Sequence, residues 1–495
     1  MRKHLISLLT VITLLAGCQS LAPEYQRPEA DVPQTWPQGR ANAALTPDLA
    51  AANLGWRDFF VDAKLRRLLE LALVNNRDLR VATLNIEKAR AQYQIQRADQ
   101  LPSLNASGNG TIQRLPSGLS STGSDMVARQ YTVTLGFASY ELDLFGRVKS
   151  LKDQALEQYL ASEEARKSAQ ISLVAEVAYA YLTLAADRER LKLAQDTLAS
   201  QLASYELTNR SFQVGVSSAV DLRQAQTSVE AARVDVASYS SQVPQDVNAL
   251  ALILGGPVPD ELIPEGITET LTALPELPVG LPSEVLQQRP DILQAEHQLR
   301  AANANIGAAR AKFFPSISLT ATGGTGSNEL YELFTGGSGY WSFAPSISLP
   351  IFNYGRNQAT LEVAQADREI QLARYDKAIQ TAFREVADAL AQRATLDDKL
   401  TAQRALVEAT TESYRLSDIR FRTGVANYLA VLVLERSSYT AQQGLINVRL
   451  SRQTNLVSLY KALGGGWKDG GPEKTGTDKT GTGKTAEMAR GGVRP

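Results

Sequence analysis

The sequence predicts an α+β membrane protein built from two tandem copies of one unit, each joining a pair of amphipathic strands to a very long helical hairpin. Three observations carry this reading. Arg147 to Val214 and Arg356 to Thr423 each run 68 residues without glycine or proline, displaced by 209 positions. Both runs open on Gly-Arg and close on a matched motif, Phe212-Gln213-Val214-Gly215-Val216 against Phe421-Arg422-Thr423-Gly424-Val425. Each is preceded by two segments in which apolar and small polar residues alternate. A helix of that length reaches roughly 100 Å, beyond what a globular domain of this size could bury.

At the start, Arg2 and Lys3 precede an apolar run from Leu5 to Ala16 that ends in Leu15-Ala16-Gly17-Cys18. A charged beginning, a short apolar stretch and small residues read as a cleaved export signal over 1–17, too short to span a bilayer as a helix. Cys18 is the only cysteine, so no disulfide framework and no cysteine-based metal site can form within one chain. Residues 18–60 read as an extended arm, because Pro23, Pro28, Pro33, Pro37 and Pro47 deny a helix. Order begins near Trp56. Without the signal the chain carries 49 basic and 52 acidic residues, a balance that offers nothing to nucleic acid.

The first repeat spans 61–256 and the second 283–466, joined by a linker over 257–282. A helical pattern from Asp62 to about Ala98, with Leu65, Leu68, Leu69, Ala72 and Leu73 on one face, leads into Leu101-Pro102. From Ser283 to Phe313 the unit recurs, Asp78 matching Asp291 and Pro102 matching Pro315 at an offset of 213. The offset falls to 209 by Gly146, so the first copy carries four extra residues, expected in the polar stretch from Gln113 to Met126.

Alternation is clearest at Tyr131, Val133, Leu135 and Phe137, at Ile317, Leu319 and Ala321, and around Trp341, Phe343 and Ile347; Leu104, Ala106 and Ile112 give a weaker version. The intervening positions are almost all Ser, Thr, Ala or Gly, as expected of a crowded interior or a barrel lumen. Four strands cannot close a membrane barrel, whose smallest members have about 8, and an open edge is not tolerated in lipid. If these strands span a membrane, several chains share one barrel.

The long helices show the same need for partners. Val177, Leu184, Leu191, Leu198, Tyr205 and Phe212 recur every seventh residue, as do Leu372, Ile379, Val386, Leu400, Val407, Tyr414 and Phe421, with Arg393 interrupting. That period specifies supercoiled packing against other helices. Beyond Trp467 the chain to Pro495 turns rich in Gly, Lys, Thr and Asp and reads as a disordered tail over 467–495.

Catalytic and metal chemistry is not legible. His297 is the only histidine after the signal, too few for a multi-histidine metal site. Gly481-Thr482-Gly483-Lys484-Thr485 fails as a P-loop because Asp478 stands where the motif needs glycine. Gly336-Gly337-Ser338-Gly339-Tyr340 lacks the final glycine of a nucleophile elbow. The residues point to no enzyme, no cofactor and no metal.

Several motifs together resemble one family. They are the lipoprotein-like Leu15-Ala16-Gly17-Cys18, Pro-Glu-Tyr-Gln-Arg-Pro at 23–28, Gly-Trp-Arg-Asp-Phe-Phe at 55–60, Asn-Asn-Arg-Asp-Leu-Arg at 75–80 and Tyr-Lys-Ala-Leu-Gly-Gly-Gly-Trp at 460–467. The chain up to Trp467 resembles the TolC-like outer membrane factors, in particular the OprM-like lipoprotein branch used by multidrug efflux pumps. The resemblance implies a homotrimer whose chains each give four strands to a 12-stranded outer-membrane β-barrel, continuous with a hollow periplasmic α-helical barrel. It implies a lipid on Cys18, with Gln19 favouring the outer membrane. Its partners would be outer-membrane lipid, a periplasmic adaptor and an inner-membrane transporter, commonly of the proton-driven resistance-nodulation-division type.

By the same resemblance Gly215, Val216, Ser217 and Ser218, with Gly424, Val425, Ala426 and Asn427, lie at the periplasmic tip where the adaptor docks. Leu429, Val433 and Arg436 share one helical face and match positions of the closed constriction. Val433 stands where aspartate is common in that branch and Glu435 where glutamine is, so a ring of carboxylates is lost and local cation attraction weakens. Asp221 is a further candidate for a charged contact at the tip. Two other readings remain open: a duct for protein secretion or metal export, which would share the fold, and a non-pore structural coiled-coil lipoprotein, which leaves the strands unexplained.

Overall fold

The computed structural model describes residues 20–29, 32–33, 36, 54–120, 123–267, 271–272, 288–425 and 427–468. The export signal, most of the arm, most of the linker and the tail beyond Lys468 lie outside the described residues.

Three helices open the body: α1 (Trp56–Phe59), α2 (Ala63–Asn75) and α3 (Arg77–Ala98). The sequence suggested one helix from 62 to 98, but Asn76 breaks it with ψ near 131°. Its side chain accepts from Leu79 N at 2.8 Å and donates to Ile253 O at 2.8 Å, capping α3 while tying it to the end of the first hairpin.

Strands β1 (Asn105–Leu115) and β2 (Met126–Leu142) follow, then α4 (Arg147–Gln213) and α5 (Ala219–Leu254). The second half repeats them as α6 (Pro290–Ala311), β3 (Ser316–Ser327), β4 (Gly339–Ser348), α7 (Arg356–Arg422) and α8 (Tyr428–Ala462). Gly146 and Gly355 precede the long helices with φ of 69° and 80°. Only glycine adopts this left-handed conformation readily, which explains the repeated Gly-Arg: it turns each strand into its helix.

The strands form one antiparallel sheet in the order β1-β2-β3-β4, with β1 and β4 at open edges. Register pairs Leu135 with Gly323, Gly323 with Trp341, Phe137 with Ala321 and Ala321 with Phe343. One face therefore carries Val133, Leu135, Phe137, Leu319, Trp341, Phe343 and Ile347. The other carries Ser107, Thr134, Thr322, Gly324, Ser342 and Ser346. Gly136 and Gly324 lie on this second face, where an added Cβ would fall 2.1 Å from Ala321 O and 2.0 Å from Val133 O. The sheet is curled so tightly there that only glycine fits.

The four extra residues of the first copy are not in its loop, contrary to the sequence reading. The loop between β1 and β2 is one residue shorter than that between β3 and β4, whereas β2 has 17 residues against 10 in β4. β2 also carries a bulge between Phe137 and Tyr140, with Ser139 at φ 55°. Strand extent depends on cross-strand partners, which composition does not reveal.

Within one chain the helices pack side by side. α4 and α7 run the length of the array; α3, α4, α6 and α7 are neighbours near the sheet, and α5, α4, α8 and α7 farther away. The heptad faces turn inward, with Val177, Leu184, Ile379 and Val386 buried. An apolar stretch of α4 has hydropathy sufficient to cross a bilayer, but 67% of that window is buried inside the chain, so it is core. That core gathers Trp56, Phe59, Phe60, Leu182, Leu250 and Tyr460. Tyr460 stacks on Phe59 at 3.9 Å, and the turn through Gly464-Gly465-Gly466 brings Lys468 O to Trp56 N at 3.2 Å.

Edge and centre differ sharply. α6, in the middle, buries most of its positions; its copy α3, at the edge, buries only Leu79 and leaves Val81, Leu84 and Ile95 exposed. The opposite edge, α7, exposes Val363, Ile370, Leu406 and Ile419. Each such side chain is about half exposed, so covering the remainder gains about 1 kcal/mol, and both helical edges, like both sheet edges, favour association with further chains.

Candidate functional site

The two hairpin turns lie at the end of the molecule farthest from the sheet, and they are built alike. Gly215 and Gly424 adopt φ of 79° and 76°. Val216 N donates to Ser211 O and Val425 N to Arg420 O, each at 2.8 Å, the bond that closes a helix through a left-handed glycine. No atom lies within 4 Å of a Cβ placed on either glycine, so backbone conformation alone requires them. The turns present Val214, Val216 and Val425 at 67–81% exposure. Ala426 is outside the described residues.

Polar residues of the turns cap the returning helices. Ser218 and Asp221 form a reciprocal capping box on α5: Asp221 N donates to Ser218 Oγ at 3.2 Å, and Ser218 N to Asp221 Oδ2 at 3.0 Å. One carboxylate oxygen of Asp221 thus has work inside its own chain. Asn427 caps α8 by accepting from Ala430 N at 3.2 Å. Ser217 N completes the first turn by donating to Ser211 O.

Leu429, Val433 and Arg436 are all exposed on α8. The opposite side of the helix, Tyr428, Val431, Leu432, Glu435 and Ser438, is buried. Hairpin packing is therefore done by the second set, and Leu429 and Val433 take no part in it. Tyr428, Val431 and Leu432 pack with Tyr205, Ala225, Tyr414 and Phe421, a cluster drawn from all four hairpin helices.

Behind the exposed face lies a feature the sequence did not disclose. Glu435, 6% exposed, accepts a hydrogen bond from Ser200 Oγ of α4 at 3.1 Å, and Ser200 also contacts Tyr414 Oη of α7 at 3.2 Å. Thr411 of α7 meets Ser438 of α8 at 3.2 Å. Burial pushes the Glu435 carboxyl above the ordinary glutamate range, although Ser200 and Gln201 pull the other way, and the nearby Asp418 charge adds to the rise. This network joins the two hairpins directly behind Leu429 and Val433. The resemblance marks Glu435 only as standing where glutamine is common, and its burial between the hairpins is not legible in the sequence.

At the other end, Cys18 is outside the described residues, but Ser20 to Arg27 of the arm that follows it are held against the helices. Ser20 Oγ meets Ser150 Oγ at 2.8 Å in the first turn of α4, Arg310 donates to Leu21 O and Asn303 to Pro23 O. Gly307 opens the notch: a Cβ there would fall 2.7 Å from Ala22 N. Tyr25, Arg27 and Arg300 converge on the buried Glu296. Trp36 stacks on Phe383 at 5.0 Å. Among the described residues no group of metal-ligating side chains occurs; His297 pairs with Glu157 at 2.6 Å.

Comparison with known proteins agrees with this geometry. A family model described as outer membrane efflux protein matches residues 68–256 and 281–465. The chain is 53% identical over 468 residues to the antibiotic efflux pump outer membrane protein ArpC of Pseudomonas putida, and equally to the toluene efflux pump outer membrane protein TtgC of the same species. Each alignment covers 94% of this chain and 96% of the relative. The fold is similar to the open state of the MtrE outer membrane channel of Neisseria gonorrhoeae, with a TM-score of 0.82, 42% identity, and 91% and 99% of the two chains covered.

Proposed function

Because the chain belongs to the outer membrane efflux protein family, we propose that it assembles as a trimer and forms the exit duct of a tripartite pump for toxic small molecules, aromatic solvents and antibiotics among them. It is an outer-membrane efflux duct with the fold of the TolC-like channels, and a transport protein rather than an enzyme. The observation that carries the trimeric reading is the open sheet: four strands with two free edges, an apolar face and a face of small polar residues. Three copies give 12 strands, within the range of closed membrane barrels. Apolar residues then meet lipid, Ser, Thr and Gly line the lumen, and the exposed edges of α3 and α7 cover one another.

The duct is passive. Energy comes from an inner-membrane transporter, of the resistance-nodulation-division type in this reading, reached through a periplasmic adaptor. The adaptor docks on the turns at Gly215–Ser218 and Gly424–Asn427, whose exposed valines offer it apolar contact, with Asp221 beside them. Leu429, Val433 and Arg436 line the closed constriction, a role supported by their common exposed face. Cys18 carries the lipid. Support comes from Ser20, which is held at Ser150, about 5 Å along α4 from its start at the foot of the barrel.

Single-channel conductance in planar bilayers tests this, with Leu429 intact and replaced by alanine. A small, rarely open conductance that increases in Leu429→Ala is expected. Folded oligomers of either form that carry no current would return the weight to a structural tether.

A further inference from the structure

A second buried polar group sits in the first hairpin toward the C-terminal end of α5, remote from the turns. Asp187 of α4 and Asp246 of α5 are 5% and 8% exposed. Asp246 Oδ1 accepts from Gln242 Nε2 at 2.8 Å, while Oδ2 is buried and receives no N–H or O–H donor; Asp187 is its neighbour across the helix pair. Arg190 pairs with Asp187 and continues to Asn447 Oδ1 of α8. Nearby, Tyr439 of α8 donates to Asp235 Oδ2 of α5 at 2.9 Å, and Tyr239 of α5 stands among Arg190, Asp235 and Asp187.

Two neighbouring carboxylates away from water cannot both ionise cheaply, and one shared proton resolves the conflict by making one acid the donor to the other. Burial, with the adjacent Asp187 charge, pushes the Asp246 carboxyl up to about 6, against the pull of Gln242 and Arg190. Two residues away, Pro244 lies inside α5, which runs on through it as one helix. Proline has no N–H for the helical ladder and its ring crowds the preceding turn, so a helix bends there.

We propose that Asp187, Asp246 and Pro244 form a proton-operated hinge in the first hairpin, which clamps α5 to α4 when the pair holds a proton and lets α5 bend away at Pro244 when it is lost. The departing proton goes to the surrounding water. Arg190, then facing two negative charges, is drawn from Asn447, which loosens the hold of this hairpin on α8. The sign follows from the raised carboxyl: the clamp is complete in acid and weakens as pH rises through about 6. Its consequence for flow rests on the duct reading, since α8 carries the proposed constriction; the hinge itself does not.

The test uses the full-length assembled protein with spin labels at Lys192→Cys on α4 and Ser238→Cys on α5, both exposed and on the turn side of the pair. Pulsed electron spin resonance should show the distance distribution moving to longer values between pH 5 and pH 8. Asp246→Asn, whose amide donates to Asp187 at every pH, should stay at the pH 5 distribution throughout, and Asp187→Asn should also lose the shift. A parent protein that does not move, or variants that move as the parent does, overturns the hinge. Conductance measured in parallel separates the two ideas: a distance shift without any current removes the duct and leaves the hinge, whereas current without a shift does the reverse.

Discussion

Glu296→Gln should release the N-terminal arm from the helical layer. The side chain of Glu296 is 3% exposed and receives Tyr25 Oη at 3.2 Å, the Arg27 guanidinium, and Arg300 Nη2 at 2.6 Å. Arg300 also lies over the Tyr25 ring, 4.9 Å from its centroid. Two of the three donors belong to the arm, so the carboxylate is its main polar attachment between the Gly307 notch and the Trp36 stack. A charge-assisted hydrogen bond is worth about 1.5–3 kcal/mol. Arg27, however, is 41% exposed and regains water when its partner is neutralised, which screens much of that loss. A net cost of about 1–2 kcal/mol remains, a factor of roughly 5–30 in the detached population.

Chymotrypsin cleavage after Tyr25 in the native assembled protein reads that population directly, provided that reclosing is faster than cutting. The pH dependence is a second check. Burial alone would raise the Glu296 carboxyl, but Arg27 and Arg300 overcome it and hold the group below the ordinary range. The depressed carboxyl gives stability that is complete above the unfolded glutamate range and is lost as pH falls through its lower folded value. The parent arm should therefore loosen only in strong acid, and the variant should lack that transition. Cleavage of Glu296→Gln at the parental rate near neutral pH would refute the clasp.

Three other outcomes follow from the geometry. Gly324→Ala places a carbon 2.0 Å from Val133 O, against a tolerable approach of about 3.3 Å. It should cost about 1–3 kcal/mol per chain and lower the melting temperature of the detergent-resistant oligomer, while Gly323→Ala, with nothing within 4 Å, should not; equal melting would sink the curled-sheet argument. Glu435→Gln keeps an acceptor for Ser200 without the buried charge. Since the raised carboxyl loses stability as pH climbs through its folded value, the variant should unfold at higher temperature than the parent in alkali and match it in acid; a difference constant with pH would count against this. Gly424→Trp strains a left-handed position, but its Cβ meets nothing within 4 Å and the turn is exposed, so trimers should form while crosslinking to the adaptor falls. Normal crosslinking would remove the turn from the docking surface.

Much of the architecture was legible because it rests on local chemistry. A left-handed glycine beside a run free of helix breakers marks each end of α4 and α7, and the heptad leucines name the faces that pack. Period-two alternation gave the strands, and their number demanded partners. Boundaries were less secure where partners decide them: Asn76 ends α2 because Ile253, far along the chain, takes its side chain, and β2 extends as far as β1 and β3 pair with it.

What the sequence determined by itself, then, is the set of elements, their duplication and their unpaired edges, since dihedral preference and periodicity act between near neighbours. The tertiary structure alone decided what the carboxylates do. Asp221, Asp246, Glu296 and Glu435 look alike as acidic residues at or near helices. One caps a turn, one faces a second acid, one is clasped by an arm 269 positions away and one is buried where the two hairpins meet. Charge and desolvation depend on distance in space, and those distances exist only once the helices are packed.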